Sequence, residues 1–156
     1  MYCNALLYGV ADGVLRRLQS VLHATARLIT GIRRFDHITP KLRDTLHWLP
    51  LSQRITFKIA LMAVDCCRGR CPKYFSDEYI PVHTVTARSR LRSADHGDLV
   101  VPCVRSRFGW HSFRVYGPTI WNNLPVDIRS TDITREHFKH SLKISLFECA
   151  YGRRCV

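Results

Sequence analysis

The sequence predicts a mainly α protein: a small helical bundle, then a small β-hairpin, then a C-terminal helix. Three observations carry that expectation. Apolar residues recur at helical spacing through the first 70 positions. A short apolar run near position 100, interrupted by proline, has the character of an edge strand. A capping threonine, Thr134, then precedes one more stretch of helical spacing. The expected organisation is a helical segment over 1–70, a basic segment over 71–148 carrying a loop, the hairpin and the last helix, and a frayed tail over 149–156.

The first helix is expected from about Ala11 to Thr30. Val14, Leu15, Leu18, Val21, Leu22, Thr25, Ala26 and Ile29 fall on one side, and Arg16, Arg17, Gln19 and Arg27 on the other. Gly31 suits a left-handed residue just past the helix end. Thr39-Pro40 reads as cap and first position of a short second helix that turns Leu42, Leu46 and Leu49 inward, and Pro50 stops it. Ser52 is placed to cap a third helix whose buried stripe is Ile55, Ile59, Met62, Ala63 and Cys66, with Gly69 ending it before Pro72. Short connections between these helices favour a compact hairpin or bundle.

From Cys71 to Pro81 a short helix is expected, anchored by Tyr74, Phe75 and Tyr79. Val82 to Asp98 is polar and rich in Ser, Thr and Arg, an exposed loop. Leu99 to Val104 supplies the candidate strand, with Pro102 pushing it to an edge. Arg107-Phe108-Gly109-Trp110 is expected to turn it back into His111 to Val115. Gly117-Pro118 then breaks the chain ahead of a short helix with Ile120 and Trp121. In the last helix, Ile133 and Phe138 occupy the staple positions around Thr134, and Leu142 and Leu146 extend the buried face.

The 156 residues are enough for one self-standing core, able to bury ~68–70% of the unfolded surface. A hydrophobic content of 46% argues against wholesale disorder. Lys and Arg number 24 against 12 Asp and Glu, a net charge of +12, which concentrates polyanions near the surface, chiefly nucleic acid or anionic membrane. Seven cysteines cannot all pair internally, and the adjacent Cys66-Cys67 suits no ordinary disulfide framework. With no signal-peptide pattern and no long apolar span, the expected setting is the cytosol or nucleus, with thiols free and no membrane partner.

The chemical constellations are weak for catalysis. A polymerase needs paired carboxylates to hold two metal ions; Asp77-Glu78 is the nearest substitute, in a tyrosine-rich segment, and no phosphate-cradling glycine loop is present. Cys66, Cys67, Cys71, His83 and Cys103 could supply soft zinc ligands, but their spacing matches no knuckle, and Cys66 lies on an apolar stripe. His137 and His140 share a helical face without a third ligand. No cofactor and no small-molecule substrate is therefore expected.

The basic loop is the stronger candidate. Arg88, Arg90 and Arg92 alternate with Ser89 and Leu91, and in an extended segment alternate residues share a face that could track a phosphate backbone. Arg105, Arg107 and Arg114 follow, and Phe108, Trp110 and Phe113 offer rings on which unpaired bases could stack. The competing account is a solvated loop with those aromatics in the core. Trp48 and Trp121, each beside leucine and a proline stop, read as core anchors.

Blocks in a consistent order carry a resemblance: CNALLYG at 3–9, LQSVLHATARLITG at 18–31, DHITPKLRDTLHWLPLSQRITFKIAL at 36–61, SRLRSAD at 89–95, RFGWHSFRVYGPTIWNNLP at 107–125 and FKHSLKISLF at 138–147. Together these resemble the region after the polymerase core in non-LTR (LINE-type) retrotransposon reverse transcriptases, from about Tyr2 to Phe147. The resemblance implies a truncated fragment that begins near the polymerase thumb. It places the family's catalytic aspartates on no residue here and makes the missing palm a partner in the full-length parent. It further implies thumb helices that grip template–primer duplex and a tail that engages RNA or target DNA. The function so expected is a non-catalytic, basic segment binding RNA or single-stranded DNA through Arg88, Arg90, Arg92, Arg105, Arg107, Phe108 and Trp110. The alternatives are an inert fragment or, from another class, a small zinc-binding protein.

Overall fold

A computed structural model describes residues 4–76, 79–130 and 133–152. Four helices of ten or more residues stand out among them: α1 (Asp12–Thr30), α2 (Leu51–Cys67), α3 (Phe113–Asn122) and α4 (Arg135–Tyr151). The chain forms two compact units, one made of residues up to 56 with those from 143 onward, the other of residues 57–142.

In the first unit α1 ends as its sequence dictates. Gly31 adopts φ 66° and donates its N–H to the Arg27 carbonyl at 2.8 Å. Only Ala26 of this helix is fully buried, and it joins Ile38 and Leu42 in a small cluster flanked by Leu22, Ile32, Leu46, Trp48 and Tyr151. The second helix takes an unexpected form. Lys41–Thr45 is wound as a π-helix, closed by the Leu46 N–H to the Lys41 carbonyl at 2.9 Å. The wider turn buries Leu42 and delivers the Trp48 N–H to the Leu42 carbonyl at 2.8 Å, with His47 at a left-handed φ of 49°. α2 begins one residue before Ser52, so the serine is not its cap. The orphan N–H of Leu51 instead reaches the Gln19 side-chain oxygen on α1 at 2.8 Å. Trp48 is half-buried. Its ring carries the Arg54 guanidinium at 5.2 Å, and its carbonyl accepts the Tyr151 hydroxyl at 2.7 Å.

In the second unit α2 contributes Ile59, Ala60, Ala63, Val64 and Cys66 to the core. It ends in a Schellman motif: the Gly69 N–H bonds the Cys66 carbonyl at 3.0 Å and the Arg70 N–H the Asp65 carbonyl at 2.8 Å, with Gly69 at φ 64°. Thr134 caps α4 through its hydroxyl, 3.3 Å from the His137 N–H, and Phe138 and Leu142 are fully buried. Arg135 makes a bidentate pair with Asp65 at 2.8 and 2.9 Å.

The expected β-hairpin is absent: no strand occurs among the described residues. Arg107–Trp110 is a short helical turn, and the segment read as a return strand starts α3. The local reason lies at Gly117-Pro118, read as a chain break but buried inside α3. A Cβ on Gly117 would sit 1.8 Å from the Tyr79 hydroxyl, so glycine lets the helix and the tyrosine approach. Pro118, the sixth of the ten residues of α3, forgoes one hydrogen bond inside the helix and is itself buried. Val115, Tyr116 and Ile120 then recur at helical spacing and all are buried, which outweighs the β-propensity of the aromatics. Leu99 does pair in an extended conformation, but with Pro81, in a single antiparallel bridge.

Candidate nucleic-acid interface

That bridge closes the arginine-bearing loop. The Val82 N–H bonds the Asp98 carbonyl at 2.9 Å and the Val100 N–H the Ile80 carbonyl at 2.8 Å, so residues 80–82 and 98–100 form its two-sided base. The base is held by residues of the WNNLP block and just after it. The Trp121 indole N–H donates to the Gly97 carbonyl at 3.0 Å. Asn122 accepts the Leu99 N–H at 2.8 Å and donates to the Leu99 carbonyl at 2.9 Å, supplying the pairing that a neighbouring strand would give. Arg129, buried in spite of its charge, pairs with the Asp98 carboxylate. Trp121 itself is buried and stacks on Phe138 with centroids 6.1 Å apart.

Above this base the loop is not extended. Hydrogen bonds from the N–H of Val85 to Val82, Arg88 to Val85, Leu91 to Arg88 and Ala94 to Leu91 make a run of tight turns, and Arg92–Asp95 is one helical turn. Arg88, Arg90 and Arg92 are all exposed, as expected, but the alternation argument for a shared face does not hold in turns. Among the described residues none of the three has an ion-pair partner, and the same is true of exposed Arg105. Trp110 is 57% exposed, in keeping with a stacking platform. The side chains of Arg107 and Phe108 lie outside the described portion. Phe113, also proposed as a platform, is instead a packing residue. Its ring lies 5.2–5.5 Å from those of Phe75, Tyr79 and Tyr116.

Asp98–Arg129 and the Asn122 clamp were not foreseen. An asparagine beside a core tryptophan is the one sequence signal for the clamp; nothing in the sequence links Asp98 to a partner 31 positions away.

Among the described residues no three His, Cys, Asp or Glu side chains converge as a metal ligand set. Asp77-Glu78 lies outside those residues. Cys66 is buried, and burial followed by the neighbouring Cys71 thiol pushes its own thiol well above the ordinary range. Treatment of the purified chain with a chelator is therefore expected to leave its helical signal unchanged, and metal analysis to find no stoichiometric zinc. One tightly held zinc per chain would overturn this. No helix among the described residues is long and apolar enough to cross a membrane.

In comparisons with family models, with curated proteins and with solved structures, no match was found.

Proposed function

We propose that the chain is a non-catalytic, basic nucleic-acid-binding segment that engages RNA or single-stranded DNA through the turn-rich loop over 82–98, together with Arg105 and Trp110. This is the role that its resemblance to the C-terminal region of LINE-type reverse transcriptases implies. One observation carries the reading: Arg88, Arg90 and Arg92 are solvent-exposed and without an ion-pair partner among the described residues, on a loop whose base is fixed by Trp121, Asn122 and Arg129. A fixed base lowers the ordering cost of presenting three cations to a flexible polyanion. Asp98 is neutralised at the base by Arg129, which leaves Asp95 as the loop's exposed acid.

The test separates a local site from the overall charge. Each phosphate neutralised on a single strand adds about −0.7 to the slope of log affinity against log salt. Changing Arg88, Arg90 and Arg92 to glutamine is expected to flatten that slope by roughly 2, the sum over three contacts. The control removes equal charge at Arg16, Arg17 and Arg34, which are exposed in the other unit. Arg27 is avoided because it donates to the Asp36 carbonyl. Equal losses in the two variants would reduce the attraction to the +12 field alone, and no binding by the parent chain at low salt would favour an inert fragment.

A further inference from the structure

Gln19 uses both ends of its side-chain amide inside the first unit. Its oxygen accepts the Leu51 N–H at 2.8 Å, the first amide of α2, which has no acceptor within its own helix. An N–H bonds only to an acceptor, so this contact fixes which end of the Gln19 amide is oxygen. The other end is the NH2 group, and it lies 2.7 Å from Nε2 of His23, one turn further along α1. An amide NH2 only donates. His23 Nε2 must therefore accept, which leaves the ring neutral with its proton on Nδ1.

A second proton on the ring turns that acceptor into a donor. The imidazolium Nε2–H and the Gln19 NH2 would then face each other with no lone pair between them. Two rearrangements relieve the conflict. Gln19 swings away, or its amide turns over to offer oxygen to the ring and NH2 to Leu51. Either way the Leu51 N–H loses its acceptor, and α2 loses this bond to α1.

The surroundings of His23 favour the neutral ring. It is half-buried, and burial followed by the charge of Arg27 holds its pKa below the ordinary value of about 6.5. On the same helix Asp12 and Arg16 border Gln19 from the other side. From α2, Arg54 donates to the Leu49 carbonyl at 2.7 Å and lies over the Trp48 ring, and from α4 the Tyr151 hydroxyl donates to the Trp48 carbonyl. A histidine whose folded-state pKa is lowered contributes stability that is fully present above about pH 6.5 and is lost as pH falls through the folded-state value.

We infer that His23 and Gln19 form a proton-operated latch between α1 and the start of α2, closed while the ring is neutral and opened when mild acid protonates it. The latch lies within the first unit and does not rest on the reading of the arginine loop.

Nuclear magnetic resonance on the full chain tests it, with the Leu51 amide as reporter. That amide has no helical partner, so its protection from hydrogen exchange, taken relative to the intrinsic rate at each pH, reads the Gln19 bond. At neutral pH, long-range proton–nitrogen correlations are expected to show the Nδ1–H tautomer of His23. As pH falls through the His23 titration, Leu51 protection is expected to drop about tenfold, the net worth of one hydrogen bond. His23→Gln presents an acceptor oxygen at every pH and is expected to keep Leu51 protected throughout. Gln19→Ala is expected to leave it unprotected at every pH. An Nε2–H tautomer at neutral pH, or Leu51 protection unchanged across the His23 titration, would overturn the latch. An equal loss of protection in His23→Gln would also overturn it, by tracing the effect to another of the eight histidines.

Discussion

Replacing Trp121 with alanine is expected to remove a large share of the stability of the unit over 57–142. Truncating a buried large aromatic costs ~3–5 kcal/mol, while a whole domain is typically stable by only ~5–15 kcal/mol. Trp121 is 5% exposed, stacks on Phe138 at the start of α4, and ties the loop base through Gly97. Its loss therefore opens a cavity and releases the tie to the Gly97 carbonyl in one step. The matching change at Trp48 is expected to be milder, because that ring is half-buried and lines an open groove. Circular dichroism melts of Trp121→Ala and Trp48→Ala give the comparison. Equal midpoints would mean that burial does not set the ranking.

The second large effect is expected at Asp98. Removing one member of a buried ion pair leaves the other charge unsolvated, at ~3–5 kcal/mol. The Arg129 side chain is 5% exposed and that of Asp98 21%, so Asp98→Ala should fall toward the lower end of that range. The informative partner is the double variant Asp98→Ala/Arg129→Met. Replacing both charges by apolar groups is often neutral, so the double variant is expected to recover most of the lost midpoint. A double variant no more stable than Asp98→Ala would show that Arg129 supports the fold by some means other than its charge pair.

The helices were legible in the sequence where a residue has one strong local preference. Gly31 and Gly69 end α1 and α2, and Thr134 starts α4, because a left-handed cap and a capping hydroxyl are decided within a few residues. Ser52 misled because the first N–H of α2 is satisfied by Gln19, more than thirty positions earlier. The hairpin misled for a related reason. Gly117 and Pro118 are local breakers, but Tyr79 occupies the space a side chain on Gly117 would need, and burial of the whole turn keeps the helix intact. At the candidate site, exposure of the arginines followed from composition. Their arrangement did not, because a run of turns and an extended strand can share the same polar sequence. The apolar stripe of α1 was visible as periodicity, but periodicity alone does not reveal which of its two edges the rest of the chain covers.

The clamp beneath the loop over 82–98 has a consequence for how such a chain can change. A segment fastened at both ends is insulated from the body that carries it. Doubling the length of a flexible loop costs only about 0.6 kcal/mol in closure entropy. The bridge at Pro81 and Leu99, the Asn122 amide and the Asp98–Arg129 pair remain whatever lies between them. Insertions and foreign sequence can therefore be grafted among the exposed turns over 86–92 with little penalty, whereas a single substitution at the clamp is felt throughout the unit. Variation is thereby channelled into the exposed turns, and constraint into the few residues under them.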